Sequence, residues 1–457
     1  GMPAQIFTFN IHVLNKLLAP RPLSYEWNNG SARTCFPLKI IIRQRNNMDT
    51  LSPSAQVLHP SRIIEGVSIP LPSSKSESNR ALIIQALAQA PIDLSNLSTA
   101  RDTQTMIRLL KGREETLDVL DAGTTMRFLA AFCTAKSRPA ILTGTQRMKE
   151  RPIALLVDAL RNIGARISYL ENDGYPPIRI EGFEQQSAMV SIRGDVSSQY
   201  ISALLMIAPI LPQGLALQLE GAVSSRPYIE MTLRLMAHFG VEAHWEGNRI
   251  EVQPKPYQSG QYAIESDWSG ASYWYSVIAI ADQGQLFVQG LRRNSWQGDR
   301  AIVEIMSQLG VKTKFVEGGV RLTPSKSVSK FEYDFTHCPD LVQTVAVVCA
   351  AKKVPAELKG LHSLRIKETD RIAALQTELE KFGCQTVAIG DEVLRLYPDK
   401  CRVEGQEVST YKDHRMAMAF APLGLLGNLV IENAKVVEKS YPSFWEDMRA
   451  AGFEVSG

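Results

Sequence analysis

The features that give a sequence an easy assignment are mostly missing here. The 457 residues hold 6 cysteines, at positions 35, 133, 338, 349, 384 and 401, and none forms a C-x-x-C pair or a Cys/His cluster at zinc-ligand spacing. That excludes a zinc module and a disulfide framework, and it predicts a scattered set of reduced, cytosolic thiols. Net charge is only +3, and no basic stripe interleaves with aromatic residues, so the chain does not read as a nucleic-acid clamp. Apolar runs such as 416–431 fall short of the roughly 20 residues needed to span a bilayer or are interrupted. Acidic residues are absent in one place: positions 1–47 contain no Asp and one Glu, Glu26, against six Lys or Arg. Gly1-Met2 reads as a tag scar. The segment suits either a transit peptide or text ahead of a true start at Met48, and the second is the favoured reading. Residues 1–60 are therefore expected to lie outside the core fold.

What is present is an ordinary globular composition, 45% hydrophobic and 21% charged, over a length sufficient for two domains. It is also periodic. Six amphipathic stretches, "TMIRLLKG", "LVDALRNIG", "LRLMAHFG", "IVEIMSQLG", "LQTELEKFG" and "WEDMRAAG", each end at a glycine: 112, 164, 240, 310, 383 and 452, at spacings of 52, 76, 70, 73 and 69. Glycine just past the last periodic residue is a common helix stop, because it accepts a left-handed backbone. Strand-like text such as "ARISYL" and "VKTKFV" follows.

A second series interleaves with the first. Nearly all-apolar helices are predicted over 78–89, 122–133, 198–208, 269–281, 340–351 and 413–426, each entered through a polar cluster such as "SKSESN", "DAGTT", "SSQ", "DWSG", "HCPD" or "KDHR". A helix that is apolar all round is a core helix. Each unit of about 70 residues thus holds one buried helix, one outer helix and short strands, and the first unit is short by about one hairpin. Helix N-termini attract anions. Ordinary capping by Ser, Asp or Asn would explain any single entrance. Six in register, several with Lys or Arg, point to a shared anion-binding cleft.

Arg and Lys then recur in dense strings beside these apolar helices: Arg147, Lys149 and Arg151 in "GTQRMKERPIALLVDAL", Arg365, Lys367 and Arg371 in "SLRIKETDRIAAL", and Arg415 in "YKDHRMAMAF". Planar guanidinium forks suit carboxylates and phosphates.

The strings "SKSESNRALI", "AGTTMRF", "RMKERPI", "SSQYISALLM", "SRPYIEMTLRLM", "IKETDRIAAL", "DHRMAMAF" and "EKSYPSFWEDM" occur in order from about residue 62 to the C-terminus. In them the chain resembles the EPSP synthases, the 3-phosphoshikimate 1-carboxyvinyltransferases. The resemblance implies an α/β fold of two domains, an inside-out α/β barrel in which each domain repeats a small α/β unit three times around buried parallel helices. The first domain would comprise 61–71 and 266–457, the second 72–265, with the active site in the cleft between them. The reaction implied is transfer of the enolpyruvyl group of phosphoenolpyruvate to the 5-hydroxyl of shikimate 3-phosphate, with release of phosphate and no metal or organic cofactor. Glyphosate sensitivity, a cytoplasmic location and a monomer without nucleic-acid or membrane partners go with it.

Carried over motif by motif, the resemblance places Lys75, Gly123, Arg151, Gln199, Arg371, Arg415 and Lys439 around phosphoenolpyruvate. It places Lys75, Ser76, Arg80, Ser197, Ser198, Gln199, Ser225, Tyr228, Asp340 and Lys367 around shikimate 3-phosphate. Lys75, Asp340 and Glu368 would be catalytic. Asp340 would accept or position the 5-hydroxyl proton, and Glu368 and Lys75 would move protons to and from the methylene carbon and the leaving phosphate. Asp340 alone would serve equally as an N-cap, and Gln199 as a hydrogen-bonded helix residue. Arg127, Asp370 and Asp413 read as supports. The chain departs from the family pattern at Ser73, Phe128, Ser363 and "SDWSGAS" (266–272), where Trp268 is added. No charged catalytic group is lost. Two alternatives stand against this reading: a transferase acting on a UDP-sugar, whose Arg-rich loop carries a Cys that "TGTQRMKERPI" lacks, and a non-catalytic scaffold, which would not need Lys75, Asp340 and Glu368 together.

Overall fold

The computed structural model describes residues 54–457 apart from Val196. The chain divides into Gly1–Asp49 and Thr50–Gly457, and the described residues all belong to the second unit. The expectation for 1–47 lies outside them. The limit at residue 60 is corrected. Gln56–His59 is an inner strand, paired antiparallel with Leu429–Ile431 on one side and Glu454–Ser456 on the other, and Leu58 is fully buried. Its short alternating text gave no strand signal because its partners lie at the far end of the chain.

The repeat is real at the level of strand pairing. A parallel strand pair flanks each buried helix, and in four units an outer helix leads on to an antiparallel hairpin. In one unit Thr116–Asp118 pairs parallel with Ala140–Thr143 around the helix Gly123–Ala135, and Ala165–Tyr169 and Ile178–Phe183 follow the outer helix Ala154–Asn162. The same order, one parallel and two antiparallel pairings, recurs in five four-stranded sheets among the described residues. The sixth sheet has only Gly260–Ala263 parallel to Ile92–Ser95, which is the missing hairpin.

Buried helices form where the apolar text predicted them: Lys75–Leu87, Gly123–Ala135, Ser198–Ile207, Trp268–Ala281, Val342–Ala351 and His414–Phe420. They sort into two hydrophobic cores. One gathers side chains from Ala81 to Ile264 around the first three helices, and the other joins Leu58, Ile69 and Leu71 to 268–453 around the last three. The three helices of each core touch one another. Each large apolar side chain so buried contributes about 1.5–3 kcal/mol, and Trp274, Tyr275 and Ile83 are among them.

Five of the six stop glycines have the expected positive φ: 117° at Gly164, 83° at Gly240, 100° at Gly310, 81° at Gly383 and 103° at Gly452. Gly112 does not. It is itself the cap of Arg101–Lys111, at φ −72° and ψ 160°, and the chain leaves extended because this unit has no hairpin to turn into.

The chain passes between the cores twice, and the two crossings are tied together. Ser73 bridges Ser266, Ser74 N–H donates to the Glu265 carbonyl at 2.8 Å, and Asp267 N–H donates to that of Pro72 at 2.9 Å. Beside them lies a pair of buried carboxylates. Glu265 accepts from Trp268 Nε1 (2.9 Å), Arg292 N (2.8 Å) and Ser295 Oγ (2.6 Å). Glu77 accepts from the Tyr262 hydroxyl, and the Gln297 amide nitrogen stands 3.4 Å from each carboxylate. The added Trp268 thus has a role as a donor to Glu265. Burial pushes Glu77 up to about 7, with Glu265 adding to the push and Tyr262 and Arg292 opposing it.

Candidate active site

The entrances of the buried helices converge where the two cores face each other. Capping accounts for some of their polar residues. Ser74, Ser197, Asp267 and Asp413 accept from the N–H groups of Glu77, Gln199, Gly270 and Arg415. The helices beginning at Gly123 and Val342 have no side-chain cap. Capping does not account for the cations.

Asp340 is the hub of the second core's side. Its Oδ1 lies 2.9 Å from Arg371 Nη1 and its Oδ2 2.8 Å from Arg415 Nη2, with Lys367 Nζ at 3.8 Å. It is therefore an ion-pair residue and not a capping one. Burial would raise its carboxyl, but Arg415, Lys367 and Arg371 outweigh that and hold it below the usual carboxylate range. Arg371, 1% exposed, also meets Glu368 at 3.0 Å and Asp413 at 2.7 Å. Glu368 is opposed by the same burial and is held well below its ordinary value by Arg371, Arg151 and Lys439. Both candidate proton-transfer carboxylates thus stand ionised.

Residues of the two cores meet here. Lys75 Nζ contacts Asp102 Oδ2 at 3.0 Å, and Lys439 Nζ contacts the other Asp102 oxygen at 3.3 Å, Asp121 at 3.2 Å and Glu368 at 4.0 Å. The Tyr228 hydroxyl donates to Asp299 Oδ1 at 2.7 Å, and Ser225 N–H to the Thr336 carbonyl at 3.0 Å, from a left-handed backbone at φ 52°. Arg151 differs from the other cations. It is 7% exposed, makes no ion pair among the described residues, and its Nε has no hydrogen-bond partner. Burial and the neighbouring Arg127 lower it to about 10. A Cβ on Gly123 would stand 2.7 and 2.8 Å from the Arg151 terminal nitrogens and 2.9 Å from Arg127 Nη1. A side chain there would make the two guanidinium groups that lie against the helix start move. An unpaired buried cation of this kind is costly unless an anion joins it.

The remaining expected residues are placed less uniformly. Gln199 Nε2 donates to Thr124 Oγ1 at 2.9 Å, joining two helix entrances. Ser198 is buried, and Ser76 offers its carbonyl to Arg80. Arg80 itself is not in the ion cluster. Its guanidinium binds Thr232 Oγ1 (2.7 Å), Ser76 O (2.9 Å) and Ser202 Oγ (3.3 Å) and lies over the Phe128 ring at 5.4 Å. Phe128, one of the departures, is thus the platform for Arg80. Burial lowers Arg80 to about 10.

Asp102, Asp299 and Asp121 were not anticipated. Asp102 sits in the first turn of an outer helix, where an acid is expected anyway, so the sequence carried no signal that it bridges two lysines.

The family description "EPSP synthase (3-phosphoshikimate 1-carboxyvinyltransferase)" matches residues 111–448. The chain belongs to the EPSP synthase family. A 3-phosphoshikimate 1-carboxyvinyltransferase of Bacteroides fragilis is 48% identical over 394 residues, covering 85% of this chain and 96% of that protein. One from Escherichia coli is 36% identical over 421 residues, covering 86% and 97%. A solved EPSP synthase from Acinetobacter baumannii matches with TM-score 0.71 at 21% identity over 88% of this chain and 100% of that one, which bears on the fold. The α/β expectation holds. These names fall on the shikimate side of the alternatives, away from a UDP-sugar. No helix among the described residues is long and apolar enough to cross a membrane.

Proposed function

We propose that this cluster is the active site of a 3-phosphoshikimate 1-carboxyvinyltransferase, which moves the enolpyruvyl group of phosphoenolpyruvate to the 5-hydroxyl of shikimate 3-phosphate and releases phosphate. The observation that carries this reading is the buried Arg151 guanidinium, set against Gly123 and within reach of the Glu368 charge but in no ion pair among the described residues. It is a receptor for an anion, in a family whose substrates are anions. Lys75, Gln199, Arg371, Arg415 and Lys439 complete the phosphoenolpyruvate side. Ser76, Ser197, Ser198, Ser225, Tyr228 and Lys367 serve shikimate 3-phosphate together with Asp340. Arg80 makes three internal hydrogen bonds and keeps two further N–H donors with which to reach it.

In the reaction the 5-hydroxyl oxygen bonds to the carbon bearing the phosphate as the methylene carbon takes a proton from the Lys75 ammonium. The hydroxyl proton passes to Asp340. Collapse then breaks the carbon–oxygen bond to phosphate while the methyl carbon returns a proton. Glu368, held ionised by Arg371, is the acceptor in that step, and Lys75 stabilises the leaving phosphate. The two cores are taken as the two domains, 72–265 and 61–71 with 266–457, the first strand at 56–59 joining the latter. The protein is taken to act as a cytoplasmic monomer on small molecules alone. Phosphate release from the two substrates tests the reading. No release above background from folded protein would refute it.

A further inference from the structure

The cationic loop before Arg151 contains an arginine that the site does not use. Arg147, on the short helix Gln146–Lys149, reaches across to the other core and donates from Nε to the Glu368 carbonyl at 3.1 Å and from Nη2 to the Lys367 carbonyl at 3.0 Å. The guanidinium edge formed by Nε and Nη2 is a planar fork, matched here to two successive peptide oxygens.

Apart from the side-chain contacts of Glu368 with Arg371 and Lys439, of Lys367 with Asp340 and of the capping Asp370, the main chain of the turn it grips has little else to fix it. Between the buried Leu364 and Ile372 its one apolar side chain, Ile366, is 54% exposed. Arg365 ties the base of the turn to Asp370, Asp391 and Gly390 through partly exposed contacts. Arg147 holds the middle, where Lys367 and Glu368 project into the cluster. The helix bearing Arg147 is capped by Thr145, and the Arg151 N–H bonds back to the Met148 carbonyl at 3.1 Å. One rigid piece therefore carries both the grip on Glu368 and the unpaired guanidinium.

We propose that Arg147 is a positioning residue that sets Glu368 and Lys367 in register with Arg151, so that the anion receptor and the proton-transfer carboxylate are assembled as one unit. The inference rests on the active-site reading above. Because the acceptors are main-chain oxygens, the grip does not depend on which side chains stand at 367 and 368. A displacement of the order of 1 Å in such a site costs about 10²-fold.

The test compares Arg147→Ala, Arg147→Lys and Glu368→Gln by steady-state kinetics, a pH profile and thermal melting. The expectation for Arg147→Ala is a loss of about 10–100-fold in kcat, a raised KM for phosphoenolpyruvate and a melting temperature close to wild type. The acid limb of its kcat profile should move to higher pH as Glu368 drifts from its cations. Arg147→Lys, which keeps the charge and can reach one carbonyl, should recover part of the turnover. Wild-type kcat and KM in Arg147→Ala, with Glu368→Gln inactive, overturns this inference alone. A loss in Arg147→Ala that follows only its melting temperature, with an unmoved pH profile, overturns it too. Full turnover in Glu368→Gln removes Glu368 from the mechanism and this inference with it, and only the absence of phosphate release from folded wild-type protein overturns the active-site reading itself.

Discussion

Two buried clusters of charged groups lie close together along this chain and behave in opposite ways. In the cleft, Asp340, Glu368 and Asp102 are surrounded by Arg371, Arg415, Lys367, Lys75 and Lys439, and all three carboxyls are held below their ordinary range. At the crossings, Glu77 and Glu265 face only Tyr262, Trp268, Ser295 and Gln297 with the exposed Arg292 at the edge, and both are raised. Burial penalises the charged form in both places. What differs is the partner: cations restore the charge, whereas neutral donors restore it only in part. Ionised groups collect at the proposed active site, and two carboxyls raised by burial collect where the chain passes between its two cores.

The comparison breaks most completely at its catalytic pole. Glu368→Gln and Asp340→Asn keep the shape and remove the charge, and each is expected to lower kcat by about 10²–10⁴-fold. The measurement is the rate of phosphate release from folded protein. Activity within a few-fold of wild type in either variant would remove that residue from the mechanism.

Arg151 sharpens the contrast, since it is a cation with no carboxylate of its own. Arg151→Met should weaken phosphoenolpyruvate binding by about 10–100-fold, the worth of one charge-assisted hydrogen bond. It should also leave stability unchanged or higher, because an uncompensated buried charge has gone. A variant that loses stability instead would show that Arg151 is already satisfied within the protein.

At the crossings the effect is smaller and depends on pH. Glu77 in the folded protein is raised from 4.5 to about 7, so folding binds its proton. Its contribution is fully present below about 4.5 and is lost as pH rises through 7, at up to about 1.4 kcal/mol per unit, for a total of about 1–3 kcal/mol. Glu77→Gln should match wild type in urea unfolding near pH 5 and exceed it near pH 8. Parallel curves for the two proteins would mean that Glu77 stays ionised throughout.

The smallest effect is expected outside both clusters. A chain starting at Met48 should equal the full chain in activity and melting temperature, because 1–47 is acid-poor and aperiodic while the repeat is complete without it. Loss of active protein would make that segment part of the fold.

By itself the sequence determined the repeat. Buried helices, outer helices, five of six glycine stops and the missing hairpin were legible because a 3.6-residue period and a left-handed stop are local properties, written within a dozen residues. The cationic strings were legible for the same reason, although Lys149 and Arg365 within them pair with Glu171 and with Asp370 and Asp391 outside the cluster. Tertiary structure alone decided how these groups are paired. Lys439 meets Asp102 across 337 positions and Arg147 meets Glu368 across 221, and no local pattern encodes either meeting. It also drew Gln56–His59 into a sheet with strands from the other end of the chain, left Gly112 extended, and placed Arg80 on Phe128 away from the ion cluster. A side chain's type is fixed by its codon, but its charge state and its partner are set by what the fold brings within a few ångströms of it.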